Sequence, residues 1–97
     1  MPKLNPEQIA EKLRALPGWE YKNNAIGKTF KFKEFIGGIE FVRKVAGIAE
    51  AANHHPDIAI NYTRVTFSCT THDAGAVTER DFKLADSIES AFNERNA

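Results

Sequence analysis

Arg64-Val65-Thr66-Phe67-Ser68-Cys69-Thr70-Thr71 decides the fold, because its polarity alternates from residue to residue. In an extended chain Val65, Phe67 and Cys69 point one way, and Arg64, Thr66, Ser68 and Thr70 the other. Such a strand belongs to a sheet with one apolar and one polar face, as in an antiparallel sheet covered by helices on one side. Ile58, Ile60 and Tyr62 alternate just upstream and predict a further strand.

Before these strands, Glu34 to about Asn53 reads as the longest helix. Phe35, Ile39, Val42, Ala46 and Ala49 form one stripe, and Phe41, Val45, Ile48 and Ala52 a second, about 100° around the axis. A lone helix on a sheet needs only one stripe. The second must therefore pack on another helix, in this chain or in a partner subunit. Pro56 disfavours helical geometry at His55, so the helix ends near there.

Further upstream, Trp19 to Lys22 and Ala25 to Phe32 flank Asn23-Asn24, a pair that tolerates the positive φ of a tight hairpin. Phe30 and Phe32 would share one face. Asn5-Pro6-Glu7-Gln8 supplies an N-cap, a first-turn proline and a capping-box partner. The helix it opens carries Ile9, Leu13 and Leu16 until Pro17-Gly18 stops it. Downstream, Gly75 marks a turn and Thr78-Glu79-Arg80-Asp81 opens a last helix, with Phe82, Ala85, Ile88 and Phe92 facing inward. The predicted order is αββαββα. This is an α+β sandwich: a four-stranded antiparallel sheet with three helices on one face.

The 97 residues suffice for a single domain over 1–97, with one modest core. The formal net charge of zero gives no footprint for nucleic acid or an anionic membrane surface. The start of the chain has no apolar h-region and no long apolar run occurs, so no membrane association and a cytoplasmic location are expected. Cys69 is the single cysteine, which excludes an internal disulfide and a CxxC zinc pattern.

The three histidines fall at two junctions, His54-His55 after the long helix and His72 after the last strand. Carboxylates flank both: Glu50, Asp57 and Asp73. If the helix persists to residue 54, Glu50 lies one turn before His54 and would orient its ring. Imidazoles suit a reaction that protonates a leaving group and removes a proton elsewhere. Histidines at element ends are also ordinary polar loop residues, and spacing alone does not bring residues 54 and 72 together. A metal site is a rival, but no HxH, HExxH or CxxC spacing is present and Cys69 falls on the apolar face. That burial also argues against Cys69 as a nucleophile. Trp19 and the phenylalanines read as core.

Ala49-Glu50-Ala51-Ala52-Asn53-His54-His55-Pro56-Asp57, then Tyr62, Thr71-His72-Asp73, Gly75 and Thr78-Glu79-Arg80-Asp81 closely resemble the pterin-4a-carbinolamine dehydratase family. The family pattern is an acidic residue, Asn-His-His-Pro-Asp/Glu, a strand with Tyr, Thr/Ser-His-Asp before a Gly, and a Thr-x-x-Asp helix start. The resemblance spans at least residues 30 to 92. It implies dehydration of a 4a-hydroxy-tetrahydropterin to quinonoid dihydropterin, which recycles the pterin cofactor of aromatic amino acid hydroxylases. It implies His54 and His72 as the acid–base pair and His55 in substrate binding or proton transfer. Glu50, Asp57 and Asp81 would support the site, with no metal and no cofactor. For Asp81, capping the last helix is an equal explanation.

Three features depart from the pattern: Ile58 stands where many members carry Trp, Thr63 where Asn is frequent, and Ala76-Val77 replaces a Gly-Leu-like pair. These bear on the pocket wall and substrate preference. The resemblance also implies a homodimer or homotetramer, and the second stripe of the long helix, around Phe41, Val45 and Ile48, offers a candidate assembly surface. It offers a second class of function too, because animal members bind a homeodomain transcription factor as a dimerisation cofactor. On that reading the chain is a non-enzymatic interaction module.

Overall fold

The computed structural model describes residues 2–96. Its elements follow the predicted order: α1 (Pro6–Leu13), β1 (Glu20–Lys22), β2 (Ala25–Lys31), α2 (Phe35–Ala52), β3 (Asp57–Asn61), β4 (Arg64–Cys69) and α3 (Glu79–Arg95). A single 3₁₀ turn, His72–Ala74, lies between β4 and α3. The strands form one antiparallel sheet in the order β1-β2-β4-β3. Among the described residues, no helix is long and apolar enough to cross a membrane.

Local chemistry accounts for the boundaries. Asn5 accepts from the Gln8 backbone, and Gln8 returns the bond to the Asn5 N–H, closing the capping box of α1. Asn23 and Asn24 have φ of 52° and 60°, the left-handed pair that a two-residue hairpin requires. Thr78 and Asp81 close the corresponding box at the start of α3.

The alternation of β4 is realised in full: Val65, Phe67 and Cys69 are completely buried. They face a core built from all three helices, together with Ile26 and Phe30 of β2. Phe30 lies at its centre, with ring centroids 4.8 Å from Phe92, 5.6 Å from Phe41 and 5.7 Å from Phe67. Burial of one such ring contributes about 1.5–3 kcal/mol. The opposite sheet face carries Thr29, Thr66 and Ser68, and the first two share a hydrogen bond of 2.8 Å. Trp19 is core, as expected, and its indole N–H donates to Glu89.

The structure corrects three details. The second stripe of α2 is not a free assembly surface, because Phe41 and Val45 are 2% and 0% exposed within the chain's own core. Phe41 packs on Phe92 of α3 at 5.5 Å, so the intrachain helix satisfies that stripe. Phe35 and Ile36, at the N-terminal end of α2, are exposed instead. Tyr62 does not continue β3: with φ 53° it is the first residue of the β3–β4 turn, since Asn61 already pairs with Arg64. Its ring lies outside, stacked on Phe35. Finally, β4 ends at Cys69 rather than Thr71, which forms only an isolated bridge to Ala76.

Candidate active site

The site forms where α2, β3, the 3₁₀ turn and α3 meet at one end of the sheet. Helix α2 ends at Ala52 because Asn53 adopts a left-handed conformation, φ 51° and ψ 42°. The His54 N–H then reaches back to the Ala49 carbonyl at 3.1 Å. This reversal is the usual left-handed helix stop, and asparagine tolerates it better than most residues. It turns His54 inward, where it is 9% exposed, while His55 remains on the surface.

The two neighbours consequently have different partners. His54 Nε2 lies 2.6 Å from Oδ1 of Asp81, a carboxylate with no solvent exposure. His55 Nε2 lies 2.5 Å from Glu50 Oε2, in a pair open to solvent. The expected Glu50–His54 contact is therefore replaced: the helix stops too early for it, and Glu50 meets His55. Asp81 caps α3 and at the same time contacts His54, so the cap does not keep it from the histidine. Its Oδ2 accepts from the Thr78 N–H at 2.9 Å and from the Thr71 hydroxyl at 2.8 Å.

His72 enters from the other side. Thr71 is bridged to Ala76, and the tight turn between them closes on Gly75 with φ 65°. This leaves His72 exposed at the start of the 3₁₀ turn. A cleft of about 280 Å³ is lined by His54, His55, His72, Asp57, Asp73 and Arg80. All three histidines thus border one hollow. Asp57 forms its rim at the start of β3, whereas Glu50 reaches the site only through His55.

Arg80 had not been singled out from the sequence. Its guanidinium donates to the Asn53 carbonyl at 2.7 Å, tying the start of α3 to the end of α2 and placing a cation at the cleft wall. Its position inside the helix-capping tetrad was the available signal. Thr71 and Thr78, both buried, were likewise read only as pattern and cap.

A larger hollow of about 560 Å³ lies on the polar sheet face, bordered by Gly27, Thr29, Thr66 and Ser68, and it shares Asp57. It contains no imidazole, whereas all three histidines border the smaller cleft. Cys69 is outside both. Burial, with Asp81 and Asp57 adding to it, pushes its thiol from 9.0 up to about 12, which removes the thiolate a nucleophile requires. Among the described residues, no three His, Cys, Asp or Glu side chains converge as a metal site.

A family model described as pterin 4 alpha carbinolamine dehydratase matches residues 2–91. A Chloroflexus aurantiacus protein, provisionally named a pterin-4-alpha-carbinolamine dehydratase, is 52% identical over 89 residues, covering 92% of this chain and 96% of its own. A Sulfolobus acidocaldarius protein with the same provisional name is 48% identical over 86 residues, covering 89% and 94%. A crystal structure from Brucella melitensis, described as a transcriptional coactivator/pterin dehydratase, superposes with a TM-score of 0.87 at 36% identity, covering 92% and 97%.

Proposed function

The chain belongs to the pterin 4 alpha carbinolamine dehydratase family, and from that premise we propose that it dehydrates a 4a-hydroxy-tetrahydropterin to the quinonoid dihydropterin. The observation that carries this reading is the single cleft bordered by His54, His55 and His72, with His54 backed by the buried Asp81. Loss of the 4a-hydroxyl requires a proton delivered to that oxygen and a proton removed from N5. His54 and His72 are the acid–base pair in this account. Each approaches from a different element, as a reaction with two separated proton transfers demands. Such positioned transfers contribute about 10²–10⁴-fold each.

His55 faces the same cleft from the surface, oriented by Glu50, and binds substrate or shares a proton transfer. Asp57 and Arg80 supply an acceptor and a donor at the rim, suited to the amide and amine edges of a pterin ring. No metal or cofactor has a part in the proposal. Its place in metabolism is the return of pterin cofactor spent by an aromatic amino acid hydroxylase, and its compartment the cytoplasm.

We also propose a homo-oligomer, with surfaces other than the one first expected. Strand β3 is a sheet edge whose Ile58 and Ile60 are 37% and 43% exposed, and Tyr62, stacked on Phe35, continues the apolar surface at its end. An edge of this kind is a template for pairing.

Rapid mixing of freshly formed 4a-hydroxy-tetrahydropterin with the protein, followed by ultraviolet absorbance, tests the activity. The dehydratase accelerates decay over buffer. Decay at the buffer rate, with the protein folded, overturns the assignment.

A further inference from the structure

Four groups behind His54 form a chain of hydrogen bonds with one permitted direction. The Arg80 backbone N–H donates to Thr78 Oγ1 at 3.2 Å. Thr78 Oγ1 lies 2.7 Å from Thr71 Oγ1, and Thr71 Oγ1 lies 2.8 Å from Asp81 Oδ2. Each hydroxyl has one hydrogen to give. The backbone N–H at one end can only donate, and an ionised carboxylate at the other can only accept. Thr71 therefore gives its hydrogen to Asp81 and receives that of Thr78.

Asp81 Oδ2 thereby accepts twice, from Thr71 and from the Thr78 N–H. It stands in the first turn of α3, where the helix N-terminus favours negative charge. The remaining oxygen, Oδ1, faces His54 Nε2 at 2.6 Å. We infer that Asp81, anchored by this one-way hydroxyl chain with Oδ1 turned to the imidazole, holds His54 in the tautomer with hydrogen on Nε2 and Nδ1 bare, which makes Thr71 and Thr78 positioning residues of the site. No described residue bonds Nδ1, and no buried side-chain nitrogen among the described residues lacks a partner. Nδ1 is thus open to the solvent of the cleft that His54 borders. It is the atom poised to take a proton.

Thr71 has a second connection, because it immediately precedes His72. Its backbone is fixed by bonds to and from Ala76 at 3.1 and 3.3 Å. One buried residue, 3% exposed, therefore orients His54 through Asp81 and sets the origin of the turn that carries His72. The tautomer assignment stands by itself; its catalytic consequence rests on the dehydratase reading.

Long-range ¹H–¹⁵N correlation spectra of the ¹⁵N-labelled full chain at alkaline pH identify which His54 nitrogen carries hydrogen, with His54→Gln to assign the signals. The wild type should show His54 as the Nε2–H tautomer. Thr71→Val, which keeps shape and loses the hydroxyl, should shift the His54 nitrogens toward a mixture of tautomers and lower kcat about tenfold, the equivalent of one hydrogen bond to a charged group. Thr71→Ser should restore both. A wild-type His54 protonated on Nδ1, or a Thr71→Val protein with unchanged His54 signals, overturns the inference. An Nε2–H His54 in a protein without dehydratase activity supports the tautomer and defeats the dehydratase reading instead.

Discussion

His54 Nε2 lies 2.6 Å from Asp81 Oδ1, joining the end of α2 to the first turn of α3 across 27 residues of sequence. The carboxylate has no exposure and the imidazole little, so the contact is protected from the solvent that weakens surface pairs.

Asp81→Asn keeps the shape of this group and replaces one acceptor with a donor. If the amide nitrogen faces Thr71 and the Thr78 N–H, it meets donors; if it faces His54, the imidazole must change tautomer. Stability should fall by about 1–3 kcal/mol in urea denaturation. Turnover should fall roughly a hundredfold, within the range of one acid–base group. Wild-type turnover in Asp81→Asn would reduce Asp81 to a helix cap.

Glu50→Gln should be mild by comparison. The Glu50 and His55 side chains are 76% and 56% exposed, and exposed pairs contribute little to stability. Thermal melting should scarcely change, and turnover should fall less than in Asp81→Asn. A larger loss than that of Asp81→Asn would return to Glu50 the orienting role that the sequence first suggested.

That suggestion failed for a reason outside pattern reading. Whether Glu50 meets His54 or His55 depends on where α2 stops. The left-handed turn at Asn53 moves that stop one to two residues before any position Pro56 enforces. The alternation of Val65, Phe67 and Cys69 was legible because a strand's period of two leaves no choice once one face is buried. The destination of Val45 was not legible, since a second apolar stripe satisfies a partner subunit and α3 equally well. The meeting of His54 with His72 required the strand order β1-β2-β4-β3, which local spacing does not encode. Asp57 was legible as a carboxylate next to the histidines, whereas Asp81 was marked as more than a helix cap only by the family motif. Arg80 and Thr71 act through long-range bonds and had only the motif around them as a signal.

Assembly should respond to the strand edge and not to the helix core. Ile60→Lys places a charge at the open edge of the sheet, on the side that Ile60 shares with Val65, and should shift sedimentation to the monomer, with the circular dichroism spectrum retained. Val45→Asp buries a carboxylate in the core and should unfold the chain outright. A folded, dissociated Val45→Asp protein would contradict the placement of that side chain.

Cys69 should make stability depend on alkaline pH. Its folded thiol is pushed up to about 12, whereas the unfolded thiol ionises from 9.0. Above pH 9 the native state binds the extra proton, so the contribution present below pH 9 declines as pH rises toward 12. The slope is at most about 1.4 kcal/mol per pH unit. Urea unfolding of wild type and Cys69→Ala across this interval isolates it. The stability advantage of wild type should narrow as pH rises, and parallel curves would contradict the burial argument.

The most direct measurement of the central claim is the decay of 4a-hydroxy-tetrahydropterin with wild type, His54→Ala and His72→Ala, with and without a chelator. Metal-free histidine catalysis predicts acceleration by wild type that survives chelation and falls by about 10²-fold or more in each folded variant. Loss of the wild-type rate on chelation, or folded variants as fast as wild type, would contradict it.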